Sequence, residues 1–202
     1  MFLLKSKKEK ERNSKLLHSN FTQISNIQMH KFDWYEVVNG GDLQQGDLLE
    51  NIDILVPLLG DEKQKDNIPS VVETYDVIVL TQSCDIVKET CKDVLVCPIW
   101  TIDDIKKEVP HFKTSKGLED LRTGRVVGYH LLNRCDIEGF NRDFRIIGFS
   151  KVFDLSKTNI ISIAKSQNKR LRLLPPYREH FSQAFARFFM RVGLPSDIPS
   201  FL

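Results

Sequence analysis

The sequence has no long hydrophobic run, and this absence excludes several kinds of protein. Its apolar stretches fall far below the roughly 20 residues that a helix needs to cross a bilayer, so we expect no membrane partner. Residues 1–4 (MFLL) are followed by charged residues instead of a long apolar core, which argues against a secretory signal. These features predict a cytoplasmic protein.

Cysteine is also scarce, with four residues at positions 84, 91, 97 and 135. In a reducing cytoplasm they are expected to be free thiols. Their spacing differs from the short Cys-x-x-Cys pairs of zinc sites, so zinc binding is kept only as an alternative. The chain has no glycine-rich phosphate loop, no His-Glu-x-x-His and no Gly-x-Ser-x-Gly. We therefore predict no metal and no cofactor.

Charge is nearly balanced over the whole chain, with 29 Lys and Arg against 27 Asp and Glu, but it is unevenly distributed. Residues 1–31 carry seven basic and two acidic side chains, and apolar residues recur there at helical intervals. This pattern predicts a basic helical arm that packs on its own domain, binds nucleic acid or a partner, or is disordered. For the nucleic-acid alternative the arm supplies Lys7, Lys8, Lys10 and Arg12.

The segment over residues 75–100 contains the two clearest strands. Residues 77–80 (VIVL) and 94–97 (VLVC) are short apolar runs with polar flanks, which is typical of buried strands. The polar segment between them is too long for a tight turn, so we predict a wide antiparallel hairpin.

Further elements are predicted on both sides of this hairpin. Strand patterns cover residues 32–38, 48–57, 125–132 and 144–153, and a long loop covers residues 59–73. Helices are predicted after Thr101, which has the position of an N-cap, over residues 115–122, and over residues 176–192 with an aromatic stripe in the core. The fold class is mainly β with α: one antiparallel barrel domain over residues 32–202 with a C-terminal amphipathic helix.

The order of these segments resembles the MazF/PemK-type toxin fold, an SH3-like barrel. The resemblance lies in Gly46-Asp47 at the start of a strand, in strands 77–80 and 94–99, and in residues 169–171 before the last helix. It implies metal-independent endoribonuclease activity, with a basic residue at the start of strand 77–80 and a Thr or Ser directly after Pro-Ile. Here the first position reads ETYD over residues 73–76, without arginine. The second reads PIWT, which displaces Thr101 by one residue.

Four polar side chains are candidate catalytic residues: Cys84, Asp85, Thr101 and His130. Cys84 and Asp85 follow a predicted strand, and His130 would activate the Cys84 thiol if the two side chains were close. The alternatives are a structural thiol at Cys84 and a turn cap at Asp85. In a nuclease, Thr101, Arg125 or His130 would take the role of the missing family residues.

Basic and aromatic residues in the rest of the chain indicate a second candidate surface. With the arm, candidate nucleic-acid contacts come from Arg125, Arg170 and Arg172, and stacking faces from Trp100, Tyr129 and Tyr177. We therefore predict a cytoplasmic SH3-like binding module for RNA, DNA or a protein partner. The resemblance implies a prokaryotic toxin–antitoxin or defence setting. The alternatives are a MazF/PemK-type endoribonuclease and a subunit that only docks to other proteins.

Overall fold

The structure is a computed structural model, and it describes residues 32–58 and 69–190. The predicted basic arm over residues 1–31 lies outside the described residues, and with it Lys7, Lys8, Lys10 and Arg12. Most of the predicted loop over residues 59–73 and the last residues of the predicted helix 176–192 also lie outside them. The described residues from Asp33 onward belong to one unit of the chain.

Eight strands and five α-helices make up the described part of the chain. The strands are β1 (Tyr35–Asn39), β2 (Leu48–Pro57), β3 (Ser70–Val79), β4 (Asp93–Thr101), β5 (Tyr129–Leu132), β6 (Arg145–Gly148), β7 (Phe153–Ser156) and β8 (Lys169–Leu173). The helices are α1 (Ser83–Ile86), α2 (Ile102–Glu108), α3 (Ser115–Arg122), α4 (Lys157–Ser166) and α5 (Tyr177–Phe189), with a 3-10 turn over Pro110–Lys113. None of these helices is long and apolar enough to cross a membrane.

All strand pairs are antiparallel. Six strands form one sheet in the order β2-β3-β4-β6-β5, with β7 also paired to β4, and β1 pairs with β8 in a second sheet. An isolated bridge between Asp47 and Arg172 connects β8 to the start of β2. The prediction of a mainly β, antiparallel fold with helices is confirmed. The described strands do not form a closed barrel, so the SH3-like barrel stays a prediction.

Three clusters of buried side chains hold the helices to the sheets. The first joins β1, β8 and α5 to the sheet through Tyr35, Leu173 and Phe181. The second places α4 against β2, β3 and β4. The third packs α2, α3 and the 3-10 turn around Ile146 of β6. Each of the helices α2 to α5 therefore buries apolar side chains on a strand surface.

Several boundaries differ from the sequence prediction. The strand predicted over residues 125–132 begins only at Tyr129, directly after Gly128 with a positive φ of 103°. The strand predicted over residues 144–153 is two strands, β6 and β7, which pair with successive parts of β4. Phe149, between them, leaves the sheet edge to pack against α5. Residues 70–73, predicted as loop, belong to β3.

The C-terminal helix is confirmed over Tyr177–Phe189. Its aromatic stripe belongs only in part to the core, because Phe181 is fully buried while Phe189 is 60% exposed. Phe185 and Phe188 are partly buried and pack against Phe149. The stripe therefore attaches the helix to the sheet from Phe181 to Phe188 and becomes exposed only at its end.

Candidate functional site

The two positions that the family resemblance marks lie against each other on the sheet. β3 and β4 pair with Asp76 opposite Ile99, which places Tyr75 beside Trp100 on one face. Their ring centroids are 5.6 Å apart and their planes meet at 82°. This edge-to-face contact is a favourable aromatic geometry. Phe153 of β7 lies on the other side of Tyr75, with a centroid distance of 5.5 Å.

Lys151, between β6 and β7, adds a positive charge to this aromatic surface. Its ammonium lies 4.5 Å from the centroid of the Tyr75 ring and 5.6 Å from that of Phe153. It donates hydrogen bonds to Tyr75 Oη and, at 3.1 Å, to Glu73 Oε2. The Tyr75 hydroxyl also donates to Glu73. Glu73, Tyr75 and Lys151 therefore form one hydrogen-bonded group, which we name the Lys151 group.

The pKa directions define the charges of the Lys151 group near neutral pH. Hydrogen bonds from Tyr75 and Lys151 lower the pKa of Glu73, so its carboxylate is ionised. Burial and the bond to Glu73 raise the pKa of Tyr75, so its hydroxyl keeps its proton. Burial alone would lower the pKa of Lys151, but its bonds to Tyr75 and Glu73 outweigh burial and raise it. The resting site is thus a lysine cation paired with the Glu73 carboxylate, beside a neutral phenol.

A small cavity of about 150 Å³ opens beside Lys151. Trp100, Tyr129 and Gly148 line it. A Cβ added at Gly148 would be 3.5 Å from Trp100 Nε1 and 3.7 Å from Tyr129 Cε1, so this glycine lies between the two aromatic side chains. Ile105 and Glu108 of α2 and Ser150 also line it. A cavity of this volume can hold one benzene-sized ring. We name it the Trp100 pocket.

The predicted catalytic candidates lie apart from this pocket or have structural partners. Thr101 is the N-cap of α2: its hydroxyl accepts from Asp104 N at 3.1 Å and donates to Asp104 Oδ2 at 2.6 Å. Asp85 forms an exposed ion pair with Lys88 at 2.6 Å. The confirmed N-cap explains the position of Thr101 at the end of β4 without any catalytic role.

Cys84 and His130 show no contact with each other, although both belong to the described residues. Cys84 is exposed, and its Sγ lies 3.7 Å from Gln82 Oε1. His130 packs against Phe181 of α5, with a centroid distance of 5.9 Å. Its Nε2 is buried and has no hydrogen-bond partner in the described chain. Burial, followed by the charges of His180 and Arg187, lowers the pKa of His130 to about 4.

The predicted nucleic-acid contacts have different environments. Arg125 is exposed and lies 3.6 Å from Asp120. Arg170 and Arg172 are buried, with only 2% and 7% of their surface exposed, and both bond to the fully buried carboxylate of Asp47. These two guanidinium groups therefore hold the start of β2 against β8, and they do not form part of an open basic surface.

The four cysteines, all in the described part of the chain, are not grouped as metal ligands. Cys97 and Cys135 are buried, Cys91 is partly exposed and Cys84 is exposed. Across residues 32–58 and 69–190, no three His, Cys, Asp or Glu side chains lie together as metal ligands. Burial also raises the pKa of Cys97 to about 12, as expected for a thiol that packs as a small hydrophobic side chain.

No family model, no curated protein and no solved structure matches the chain. Evidence on function therefore comes from the chemistry of the Trp100 pocket and the Lys151 group. Their stacking residues, Trp100 and Tyr129, were expected from the sequence, whereas Glu73, Tyr75 and Lys151 were not. The alternation of β3 places Glu73 and Tyr75 on one face, which is a signal that the sequence does contain.

Proposed function

We propose that the protein is a binding module for single-stranded nucleic acid, and that the Trp100 pocket receives one base. The observation that supports this proposal is a ring-sized cavity lined by Trp100 and Tyr129 with the Lys151 ammonium at its edge. Stacking on aromatic side chains contributes about 1 to 3 kcal/mol per base in proteins that bind single strands. A lysine cation beside the stacked base is suited to contact the phosphate that follows it.

The SH3-like barrel belongs to the same proposal. The β1–β8 sheet is attached to β2 through the Asp47–Arg172 bridge. On the other side, Tyr35 of β1 donates a hydrogen bond of 2.7 Å to Asn133 O, directly after β5. These links bring both ends of the strand order toward each other and support a partly open barrel of MazF/PemK type. The cytoplasmic toxin–antitoxin or defence setting rests on the resemblance.

Charge outside the pocket completes the proposed interface. Arg125 is exposed, and Lys7, Lys8, Lys10 and Arg12 are proposed to contact phosphates along the strand. Arg170 and Arg172 are not proposed to contact nucleic acid, because their guanidinium N–H groups already donate hydrogen bonds to Asp47, Asp42 and Gly40. We therefore expect affinity that falls with salt and that depends on both stacking and charge.

Replacing Trp100 by alanine is expected to weaken the binding of a labelled single-stranded RNA by about 5- to 150-fold, since one stacked base loses its platform. Fluorescence anisotropy at constant salt measures the change. Gly148→Ala is a second test: its methyl group would occupy the space between Trp100 and Tyr129 at ordinary van der Waals distance, so we expect weaker binding without unfolding.

The matched control is Trp34→Ala, because Trp34 is stacked on Tyr177 at a centroid distance of 3.7 Å and does not line the Trp100 pocket. Circular dichroism must show that each variant is folded. Unchanged RNA affinity in folded Trp100→Ala and Gly148→Ala would overturn the proposed pocket. Equal losses in Trp34→Ala and Trp100→Ala would also contradict it.

A metal-independent endoribonuclease is the second candidate, and the Lys151 group is the observation that favours it. Such a reaction needs a proton acceptor for the attacking 2′-hydroxyl and a cation for the phosphoryl oxygens. Glu73 and Lys151 have these two chemistries, and Glu73 lies at the strand position where the family carries its basic residue.

Our expectation for a binding module is that labelled RNA remains intact during incubation with the protein in excess chelator. A denaturing gel gives the result. Cleavage that is lost in Tyr75→Phe and Lys151→Met, but kept in Asp85→Ala and Thr101→Ala, would replace the binding module by the nuclease. Cleavage kept in all four variants would indicate a contaminating enzyme. The RNA affinities of Trp100→Ala and Gly148→Ala, measured by anisotropy, would then decide on the binding module.

A further inference from the structure

A second and larger cavity, of about 350 Å³, opens between β2 and β8. Its lining includes Leu48, Leu171, Phe140, Asn51, Gln167 and Lys169. This volume lies within the range of about 300 to 1,000 Å³ that is usual for small-molecule sites, and apolar and polar side chains both contribute. We name it the β2–β8 cleft. It shares no residue with the Trp100 pocket.

The wall formed by β2 is held in a fixed shape. The β2–β3 register shifts between Leu49 and Ile52, which is a bulge over Glu50 and Asn51. Gln167 fastens this bulge with two hydrogen bonds to the Glu50 backbone: its Nε2 donates to Glu50 O at 2.6 Å and its Oε1 accepts from Glu50 N at 3.3 Å. The cleft is therefore preorganised, which lowers the entropic cost of binding a ligand.

Charge inside the cleft favours an anion. The Glu50 carboxylate is neutralised by Arg142, whose Nη2 donates to its two oxygens at 2.8 and 2.9 Å. Lys169 is exposed at the rim and has no ion pair with any acid of the described chain. Lys169 is thus a lining cation without a carboxylate partner in the described chain, whereas the lining carboxylate of Glu50 already has its counter-charge.

Backbone strain is concentrated at the same cleft. In the described chain, two non-glycine residues have positive φ: Asn51 at 55° and Asn168 at 62°. Asn51 lines the cleft, and Asn168 lies between the lining residues Gln167 and Lys169. Such conformations cost free energy and cluster at ligand sites, although asparagine tolerates them better than most residues. The Asn51 backbone is held in place by a 3.0 Å bond from its N–H to Asp76 Oδ1.

We propose that the β2–β8 cleft binds a small ligand in which a planar ring is joined to an anionic group, as in a nucleoside monophosphate. Phe140 supplies an aromatic face for the ring, the Asn51 amide supplies a donor and an acceptor for its edge, and Lys169 supplies the cation for the anionic group. The proposal rests on residues different from those of the Trp100 pocket and stands without it.

Isothermal titration calorimetry with the full chain tests the site, using adenosine 5′-monophosphate, adenosine and inorganic phosphate as probes. We expect the monophosphate to bind, and adenosine and phosphate to bind about tenfold more weakly or not at all, since each offers half of the recognised chemistry. Lys169→Ala is expected to weaken the monophosphate by about tenfold and to leave adenosine unchanged.

Asn51→Gly removes the amide without straining the backbone, because glycine adopts a φ of 55° readily, so a loss of affinity there does not come from misfolding. Lys116→Ala, at an exposed position of α3, is the control for Lys169 and is expected to bind normally.

A short oligoadenylate is titrated as a further probe, and comparing its affinity with that of the monophosphate shows whether the cleft binds a free nucleotide or a nucleotide within a strand. No binding of either adenylate, or binding that Lys169→Ala and Phe140→Leu leave unchanged, overturns the proposal. Trp100→Ala should leave monophosphate binding intact, which separates this site from the proposed RNA pocket.

Discussion

Replacing Asp47 by asparagine is expected to lower the free energy of unfolding by about 3 to 5 kcal/mol, because it removes the counter-charge of two buried cations. The Asp47 carboxylate is fully buried, 2.8 Å from Arg170 Nε and 2.5 Å from Arg172 Nε. It also accepts a hydrogen bond from Gln44 N at 3.1 Å. An amide at this position leaves Arg170 without a carboxylate partner in the described chain, and it leaves Arg172 with only the exposed Asp42 carboxylate, 3.6 Å away. Urea unfolding followed by circular dichroism measures the loss.

A matched control for this substitution is available on β2, the strand that directly follows Asp47. Asp53 is exposed on β2, and its carboxylate accepts from Thr74 Oγ1 at 2.6 Å. We expect Asp53→Asn to change the free energy of unfolding by less than about 0.5 kcal/mol, as is usual for surface positions. If the free energy of unfolding of Asp47→Asn equalled that of Asp53→Asn, the buried charges would not stabilise the contact between β2 and β8.

The same cluster shows why part of the fold was not predictable from the sequence. Local patterns were sufficient for β1, β2, α3 and the wide hairpin, because hydrophobic periodicity and N-caps act over a few residues. Residues 169–173 (KRLRL) contain three basic side chains interrupted by leucines, and from the sequence this pattern indicates an exposed basic segment. Their partner Asp47 lies more than a hundred residues away, so the burial of Arg170 and Arg172 depends on a long-range pairing that no local pattern contains.

The candidate site was predictable to a similar extent. Trp100 and Tyr129 were identified as stacking residues, and the β3–β4 pairing that the hairpin predicts is enough to bring Tyr75 beside Trp100. Lys151 was missed because residues 144–153 have the pattern of one continuous strand. The chain breaks there because Phe149 packs against α5, a tertiary contact, and this break places Lys151 over Tyr75.

Acidification is expected to destabilise the protein through His130, by up to about 3 kcal/mol between about pH 6.5 and pH 4. The pKa of His130 is about 4 in the fold and has a reference value of 6.5, so in this interval the unfolded chain binds a proton that the folded chain excludes. The unfolded state therefore gains stability as the pH falls, and the free energy of unfolding decreases. Above about pH 6.5 the ring is neutral in both states, and the effect is absent.

The structural cause of this pH dependence is the helix that covers His130. Its Nε2 is buried without a hydrogen-bond partner in the described chain, and α5 places Phe181 against the ring and the charges of His180 and Arg187 near it. Protonation would therefore bury a cation between α5 and the sheet, with no acceptor in the described chain for the N–H at Nε2.

The measurement is urea unfolding at about pH 7 and about pH 4.5, compared between the wild-type protein and His130→Leu. Carboxylates elsewhere contribute equally to both proteins, so the difference between the two curves isolates His130. We expect the wild-type protein to lose more stability on acidification than His130→Leu. If acidification lowered the free energy of unfolding equally in the wild-type protein and in His130→Leu, the protonated ring would be gaining water or a hydrogen-bond partner, and α5 would not be excluding solvent from it.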